Sequence, residues 1–371
     1  MVTAAPVLAR HRSNSNDTRC HYTTHKQNLH MQQPTFQHNT ILIGDALARL
    51  RELPSGTADS VITSPPYYAQ RDYGVAGQLG AGKDVNSWVA ELRMICAELA
   101  RVLAPHGSLW LNVGDGYSPH QRYGAPRKSL LCGPERLLLA LVADGWTVRN
   151  KVVWAKTNPM PSSIRDRLST THEVLYFLTR SPHYYFDLDA IRIPLVTASR
   201  LTASAPTRTY PPADAVPSGR GDWTKSDNRG LSKLKASGRV GHPLGKNPGD
   251  VWTLPTAGFR GTHFATFPTR LVERPLLATC PERVCVDCGT PWRRERGADN
   301  FRPECTCGAA YRPGLVLDPF FGSGTVGVVA ERHQRNWLGI ELNREFATLA
   351  MTRITESRPP TYTRRSSALA A

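Results

Sequence analysis

The sequence contains no apolar run approaching the roughly 18 residues that a membrane-spanning helix needs, which argues against a helical membrane protein. It also shows no apolar core of signal-peptide type near its start, so the expected location is intracellular. Acidic residues are scarce: 30 Asp plus Glu stand against 46 Lys plus Arg, a formal net charge of +16. Such an imbalance favours a polyanionic partner, and double-stranded DNA fits it. The basic residues continue through the middle of the chain, so a basic tail alone does not account for them. Eight cysteines in 371 residues are too few for a disulfide scaffold, and their clustering near positions 280–307 points to a metal instead. At this length the chain can bury a full core, as one large or two modest domains.

Two stretches carry the chemistry. In the first, a strand-like run, Ser60 to Ile62, passes into Thr63-Ser64-Pro65-Pro66-Tyr67-Tyr68. The two prolines remove backbone donors and fix φ, so the strand must stop and its end is held stiff. A rigid strand end with a free hydroxyl, an unpaired carbonyl and a flat ring can hold a planar amino group. Ser64 and the Pro65 carbonyl would accept its hydrogens while the Tyr67 ring stacks on a base. A polar strand end followed by a Pro-Pro turn fits the same residues equally well.

The second stretch is Leu315 to Thr325, an apolar strand ending in Asp318 and a turn containing Gly322 and Gly324. A helix-like run from Val326 to His333 follows, then an apolar run from Trp337 to Ile340 ending in Glu341. Strand, glycine turn, helix, strand and terminal acid make a nucleotide-binding βαβ unit, in which Glu341 is placed to accept ribose hydroxyls.

TSPPYY (Thr63 to Tyr68) resembles the catalytic motif of amino-methylating DNA methyltransferases, which modify N4 of cytosine or N6 of adenine. DPFFGSGT (Asp318 to Thr325) resembles their S-adenosylmethionine motif, and the order of the two resembles the circularly permuted β class. The likeness runs from Ile41 to about Ile354. It implies an α/β, Rossmann-like fold of S-adenosylmethionine-dependent methyltransferases with permuted motif order, an inserted recognition region and a small Cys-rich insert. The implied catalytic residues are Ser64, Pro65, Pro66 and Tyr67. The implied cofactor-binding residues are Asp45, Thr266, Pro268, Asp318, Pro319, Phe320, Gly322, Ser323, Gly324, Thr325 and Glu341. Asp45 would meet the adenine end of the cofactor, although a helix N-cap explains its position as well. Thr266 and Pro268 lie in HFATFPTRL (His263 to Leu271), which resembles the motif that starts the cofactor half and usually contacts the methionine end. A helix over Thr269 to Thr279 would aim its N-terminal amides at a carboxylate, and a well-capped helix with no ligand is the plainer alternative.

Along the chain this gives a disordered leader (1–39), a catalytic half (40–193), a target-recognition region (194–249), the start of the cofactor half (250–279), the Cys-rich insert (280–312), the S-adenosylmethionine-binding half (313–356) and a disordered tail (357–371). Strands are expected at Thr40 to Asp45, Ser108 to Val113, Trp146 to Trp154 and Glu173 to Thr179, and helices at Ala46 to Leu53, Ser87 to Leu103 and Pro134 to Ala143. Residues 67–84 read as a long loop near the base or cofactor. Trp88 reads as core before site, and the aromatic run His183-Tyr184-Tyr185-Phe186 as core before base-stacking. Asp115 reads as a capped turn, with a place in the site wall as the second reading. The recognition region mixes Pro, Gly and Ser with basic residues such as Arg208, Arg220 and Lys235, a composition suited to phosphate contacts or to a flexible linker.

In the insert, Cys285, Cys288, Cys305 and Cys307 can close a tetrahedral structural zinc site, with Cys280 as a substitute ligand. The C-x-C pair departs from the commoner C-x₂-C spacing. Arg293, Arg294 and Arg296 between the pairs could reach phosphate.

The implied reaction flips the target base into a pocket and transfers the methyl of S-adenosylmethionine to its exocyclic amine. No Pro-Cys dipeptide stands near the site, so ring-carbon methylation through a cysteine is not implied. The serine of S-P-P-Y is associated in the family with N4-cytosine, which favours cytosine over adenine. RNA methylation, methylation of a protein amide and a DNA-binding module with a vestigial pocket are the rival readings. The resemblance leaves open a cognate restriction enzyme and a homodimer as partners, and it places the protein in the cytoplasm, near the nucleoid.

Overall fold

A computed structural model describes residues 37–68, 79–80, 84–194, 242, 244–257, 267–295 and 300–358. Nearly all of them belong to the unit His38–Ala371. Most of the expected leader and tail, most of the recognition region, most of the loop after Tyr68, Thr266 and Arg296 lie outside the described residues, whereas Asn39, counted with the leader, donates its N–H to the Trp337 carbonyl of β12.

In chain order the first half holds β1 (Thr40–Ile43), α1 (Ala46–Glu52), β2 (Ala58–Thr63), α2 (Val85–Val102), β3 (Leu103–Val113), α3 (Gly133–Ala143), β4 (Thr147–Lys156) and β5 (His172–Thr179). The second half holds β6 (Val251–Leu254), α4 (Thr269–Thr279), the short strands β7 (Val284–Cys285), β8 (Arg293–Arg294), β9 (Phe301–Arg302) and β10 (Tyr311–Arg312), then β11 (Leu315–Asp318), α5 (Thr325–Arg332), β12 (Asn336–Glu341) and α6 (Arg344–Glu356). Among the described residues, eight strands form one sheet in the order β1-β12-β11-β2-β3-β5-β4-β6. All neighbours are parallel except β5, which runs antiparallel to both β3 and β4.

The sheet is covered on both faces, and its central strands show it: every residue of β2 and β11 is buried. On α2 the buried positions Val85, Trp88, Val89, Leu92, Ile95, Cys96, Leu99 and Val102 follow the three-to-four spacing of a helix with one apolar face. Asp84 starts that helix by accepting the Ser87 N–H at 2.8 Å. Against the sheet's other face, Leu271, Val272 and Leu276 of α4 and Val326 and Val329 of α5 join one core with Trp110, Phe177, Trp252 and Trp337. Trp110 stacks on Phe177 at 4.3 Å, and Tyr184 meets the edge of that ring at 5.6 Å. Tyr185 and Trp88 are buried and Tyr184 and Phe186 pack against the core, whereas His183 at the start of the aromatic run is exposed.

The permuted order becomes intelligible at the centre of the sheet. Strand β2 pairs in parallel with β11, Leu317 opposite Val61. From β2 the chain moves to β3 on one side, and from β11 to β12 on the other. Divergence of this kind opens a crevice beyond the carboxyl ends of the two strands, where α/β sheets bind ligands. Both motifs end in that crevice.

Candidate functional site

The two strand ends are tied directly. Thr63 Oγ1 donates to Asp318 Oδ1 at 2.6 Å, a buried bond between residues 255 apart in sequence. The same oxygen accepts the Phe320 N–H at 3.0 Å. Asp318 is completely buried, and among the described residues its Oδ2 has no hydrogen-bond partner. Burial pushes its carboxyl up to about 7, against the two bonds to Thr63 and Phe320, which favour the charged form. An orphaned carboxylate oxygen at a strand end needs a donor or a cation. S-adenosylmethionine, which carries a cationic sulfonium and an ammonium, fits that requirement.

The glycine turn is held from two sides. Gly322 and Gly324 have φ of 50° and 75°, and a Cβ at Gly324 would sit 2.9 Å from the Ala350 side chain. Glu341 Oε2 accepts the Gly322 N–H at 2.7 Å, while Oε1 accepts that of Asn343 at 2.8 Å. Arg353 reaches from α6 to the Ser323 carbonyl and hydroxyl and to the Thr325 hydroxyl, at 2.9–3.0 Å. Phe321 lies under the turn, stacked on Trp337 at 5.3 Å. Asp45 is exposed and caps α1 by accepting the Ala48 N–H at 2.9 Å. Its backbone neighbour Gly44 bonds the Glu341 carbonyl, so the cap also stands at the mouth of the crevice. Pro268 is the buried N-cap residue of α4.

Beyond β2 the Pro-Pro turn is fixed by Trp88, whose indole N–H donates to the Pro66 carbonyl at 2.9 Å. No described residue donates to the Pro65 carbonyl. Ser64 Oγ lies 3.2 Å from Tyr67 Oη and 3.4 Å from Asn112 Oδ1. Tyr67 Oη donates to Glu173 Oε2 at 2.7 Å, and Lys156 Nζ is bonded to the other oxygen, Glu173 Oε1, at 2.6 Å. The Tyr67 ring packs closely on Gly114, where a Cβ would come within 2.7 Å of Cε2. Gly114→Ala must therefore displace the ring. It is expected to cut the methyl-transfer rate by about 10²-fold, a loss typical of a misplaced reacting geometry, with little change in thermal stability. Unchanged turnover in that variant would show that the ring's position is not critical.

A family model described as DNA methylase, of the N6/N4 type, matches residues 58–352. The chain belongs to the N6/N4 DNA methylase family. Among curated proteins it is 34% identical to the type II methyltransferase M.Cfr9I of Citrobacter freundii over 351 residues, covering 88% of this chain and 92% of that protein. It is 35% identical over 338 residues to the type II methyltransferase M.XycI of Xanthomonas campestris pv. cyanopsidis, covering 85% and 87%. Among solved structures, the PvuII DNA methyltransferase (cytosine-N4-specific) superposes with a TM-score of 0.52 at 18% identity, over 87% of this chain and 92% of that one. The fold is thus the Rossmann-like fold of S-adenosylmethionine-dependent methyltransferases. Among the described residues of the methylase, no helix is long and apolar enough to cross a membrane.

The Cys-rich insert of the methylase gathers Cys285, Cys288, Cys305 and Cys307, whose sulfur atoms all lie within 4.8 Å of one another. Four thiolates 2.3 Å from a tetrahedral zinc would be about 3.8 Å apart, so the set fits that ion. Cys280 is not part of the group; it is fully buried in the main core at the end of α4. Among the described arginines of the insert, Arg294 pairs with Asp187 at 2.8 Å and Arg293 with Glu304 at 3.2 Å. The insert is tied to the central sheet through Asp59 of β2, which accepts from Arg312, the Leu315 N–H and His106.

Asn112, Gly114, Glu173 and Lys156 line the site, and none of them belongs to the two motifs read from the sequence. Glu173 directly precedes the apolar run Val174 to Leu178 of β5, and Asn112 interrupts the apolar run Leu109 to Val113 of β3. A lone acid or amide in such a strand is the signal that could have found them. Asp115, by contrast, is the capped turn expected, taking the N–H groups of Gly116, Cys132 and Gly133.

Proposed function

We propose that the methylase transfers a methyl group from S-adenosylmethionine to the exocyclic N4 amine of cytosine in duplex DNA, with the target base turned out of the helix. The observation that carries this reading is the bond between Thr63 and Asp318, which joins the two motifs at one crevice. The cofactor supplies an electrophilic methyl when bound. Asp318 would hold its positive charge, Glu341 its ribose hydroxyls and Asp45 its adenine, while the turn from Pro319 to Thr325 closes around it. Thr266 and Pro268 would flank its methionine end. Ser64 Oγ and the Pro65 carbonyl would accept the amine's hydrogens, drawing the nitrogen toward tetrahedral geometry and freeing its lone pair. The Tyr67 ring would stack on the flipped base. Cytosine rests on the serine that opens Ser64-Pro65-Pro66-Tyr67.

The basic region over 194–249 is proposed to hold the duplex through phosphate contacts. The type II designation of the curated relatives supports a restriction enzyme as cognate partner. Transfer of labelled methyl to an unmethylated duplex, compared with RNA of the same sequence, tests the substrate. Label on the duplex supports the reading, and label only on RNA contradicts it.

The four cysteines are proposed to hold a structural zinc. Strands β7 to β10 have two residues each, too few to persist unaided, and the metal would clamp them. The purified protein is expected to carry one zinc per chain by elemental analysis, lost in Cys288→Ser. Metal-free protein with unchanged thermal stability would rule this out.

A further inference from the structure

We infer that Glu173, paired with Lys156, terminates a proton-withdrawing chain, Ser64 Oγ to Tyr67 Oη to Glu173 Oε2, that takes up the proton the target amine must shed. The inference rests on the proposed amine methylation. When the amine nitrogen bonds the incoming methyl carbon and the carbon–sulfur bond breaks, the nitrogen is left with a positive charge and one proton too many. A serine hydroxyl can receive that proton only if its own hydrogen has somewhere to go.

The hydrogen bonds around Ser64 supply the route. Asn112 Nδ2 donates to Glu173 Oε2 at 3.2 Å and to the Val174 carbonyl at 3.1 Å. Both amide hydrogens are thereby used, and Oδ1 is turned toward Ser64 and Tyr67 as an acceptor. The phenolic hydrogen of Tyr67 makes its shortest bond, 2.7 Å, to Glu173 Oε2. Its oxygen can then accept from Ser64 at 3.2 Å. Lys156 holds the remaining carboxylate oxygen, Oε1, and its ammonium also lies 5.1 Å from the Trp154 ring. This pair is mostly shielded, with side-chain exposures of 21% and 14%.

Each transfer balances. The amine proton passes to Ser64 Oγ, the serine proton to Tyr67 Oη, and the tyrosine proton to Glu173 Oε2. Ser64 and Tyr67 finish as they began, and Glu173 becomes a neutral acid that later returns its proton to water. Two other carboxylates stand close by but are committed otherwise. Asp318 Oδ1 is bonded to Thr63 and the Phe320 N–H and its Oδ2 is the oxygen proposed to meet the cofactor's charge, while Asp115 is bonded to three backbone amides. Tyr67 thus has two separable tasks: its ring faces the base, and its hydroxyl relays a proton.

The test is single-turnover methyl transfer from labelled S-adenosylmethionine to duplex DNA by wild type, Glu173→Gln, Tyr67→Phe and the double variant. Each single variant is expected to be about 10²-fold slower, the usual worth of positioned proton transfer. The double variant should be no slower than the worse single within about threefold, because both break one chain. Cofactor and DNA affinities should stay within about threefold of wild type, and a solvent deuterium effect present in wild type should vanish in Tyr67→Phe, which keeps the ring. A Glu173→Gln rate within about threefold of wild type overturns the relay alone, as do losses that multiply in the double variant. A wild type that methylates no DNA overturns the proposed function and the relay together.

Discussion

Ser64→Ala is expected to lower the single-turnover rate of methyl transfer by about 10²- to 10³-fold, the scale seen when a single preorganised polar contact to a reacting group is removed. The loss should fall on the chemical step. Ser64 stands beyond the last residue of β2, half-buried, and its hydroxyl meets Tyr67 and Asn112. Removing one hydroxyl there leaves the core intact, so thermal stability and cofactor affinity should stay near wild type. Tyr67 and Asn112 keep their bonds to Glu173 in the variant, so the pocket retains its shape and loses only the acceptor for the amine. Quenched-flow transfer to a short duplex measures the rate. A loss of less than about tenfold would mean that other groups polarise the amine.

The second large effect concerns Asp318 and pH. Burial raises its carboxyl from an ordinary value of 3.8 to about 7, with the nearby Glu341 adding to the shift and the Thr63 and Phe320 bonds opposing it. A folded-state value above the unfolded one means that the native protein holds this proton more tightly. Its contribution to stability is therefore fully favourable below about pH 4 and declines as pH rises to about 7, by at most ~4 kcal/mol from this residue. A cationic cofactor prefers the ionised form. Apparent affinity for S-adenosylmethionine should thus rise about tenfold between pH 6 and pH 8, following the ionised fraction, and level off above. Asp318→Asn should bind more weakly, by about 1.5–3 kcal/mol for a lost charged hydrogen bond, and its affinity should show no such slope. Calorimetric titration across pH decides it. A wild-type affinity independent of pH would show that the cofactor does not meet this carboxylate.

Much of the fold could be read from the chain because its elements announce their own ends. Helix α4 spans the expected Thr269–Thr279, and β2 stops at Thr63, where the prolines require it. Strand β3 begins at Leu103, earlier than the expected Ser108, because Leu103 already pairs with Ala58 across an irregular register. Both motifs could be recognised locally, and the four cysteines expected together do come together. Choosing them over Cys280 required its depth in the core, which depends on how α4 packs. The supporting residues were beyond sequence reasoning for a similar reason. Asn112 and Glu173 reach Ser64 and Tyr67 from 48 and 106 residues away, through pairing of β3 with β5. The acids beside Arg293 and Arg294, Glu304 and Asp187, could not be read from the sequence either, because only the fold brings them together.

The most direct measurement is nucleoside mass spectrometry of duplex DNA after incubation with the methylase and S-adenosylmethionine, with Ser64→Ala in parallel. N4-methylcytosine, formed by wild type and nearly absent with the variant, is the predicted result. N6-methyladenine in its place would contradict the assignment of the base while keeping the pocket, and equal product from the variant would contradict the role given to Ser64.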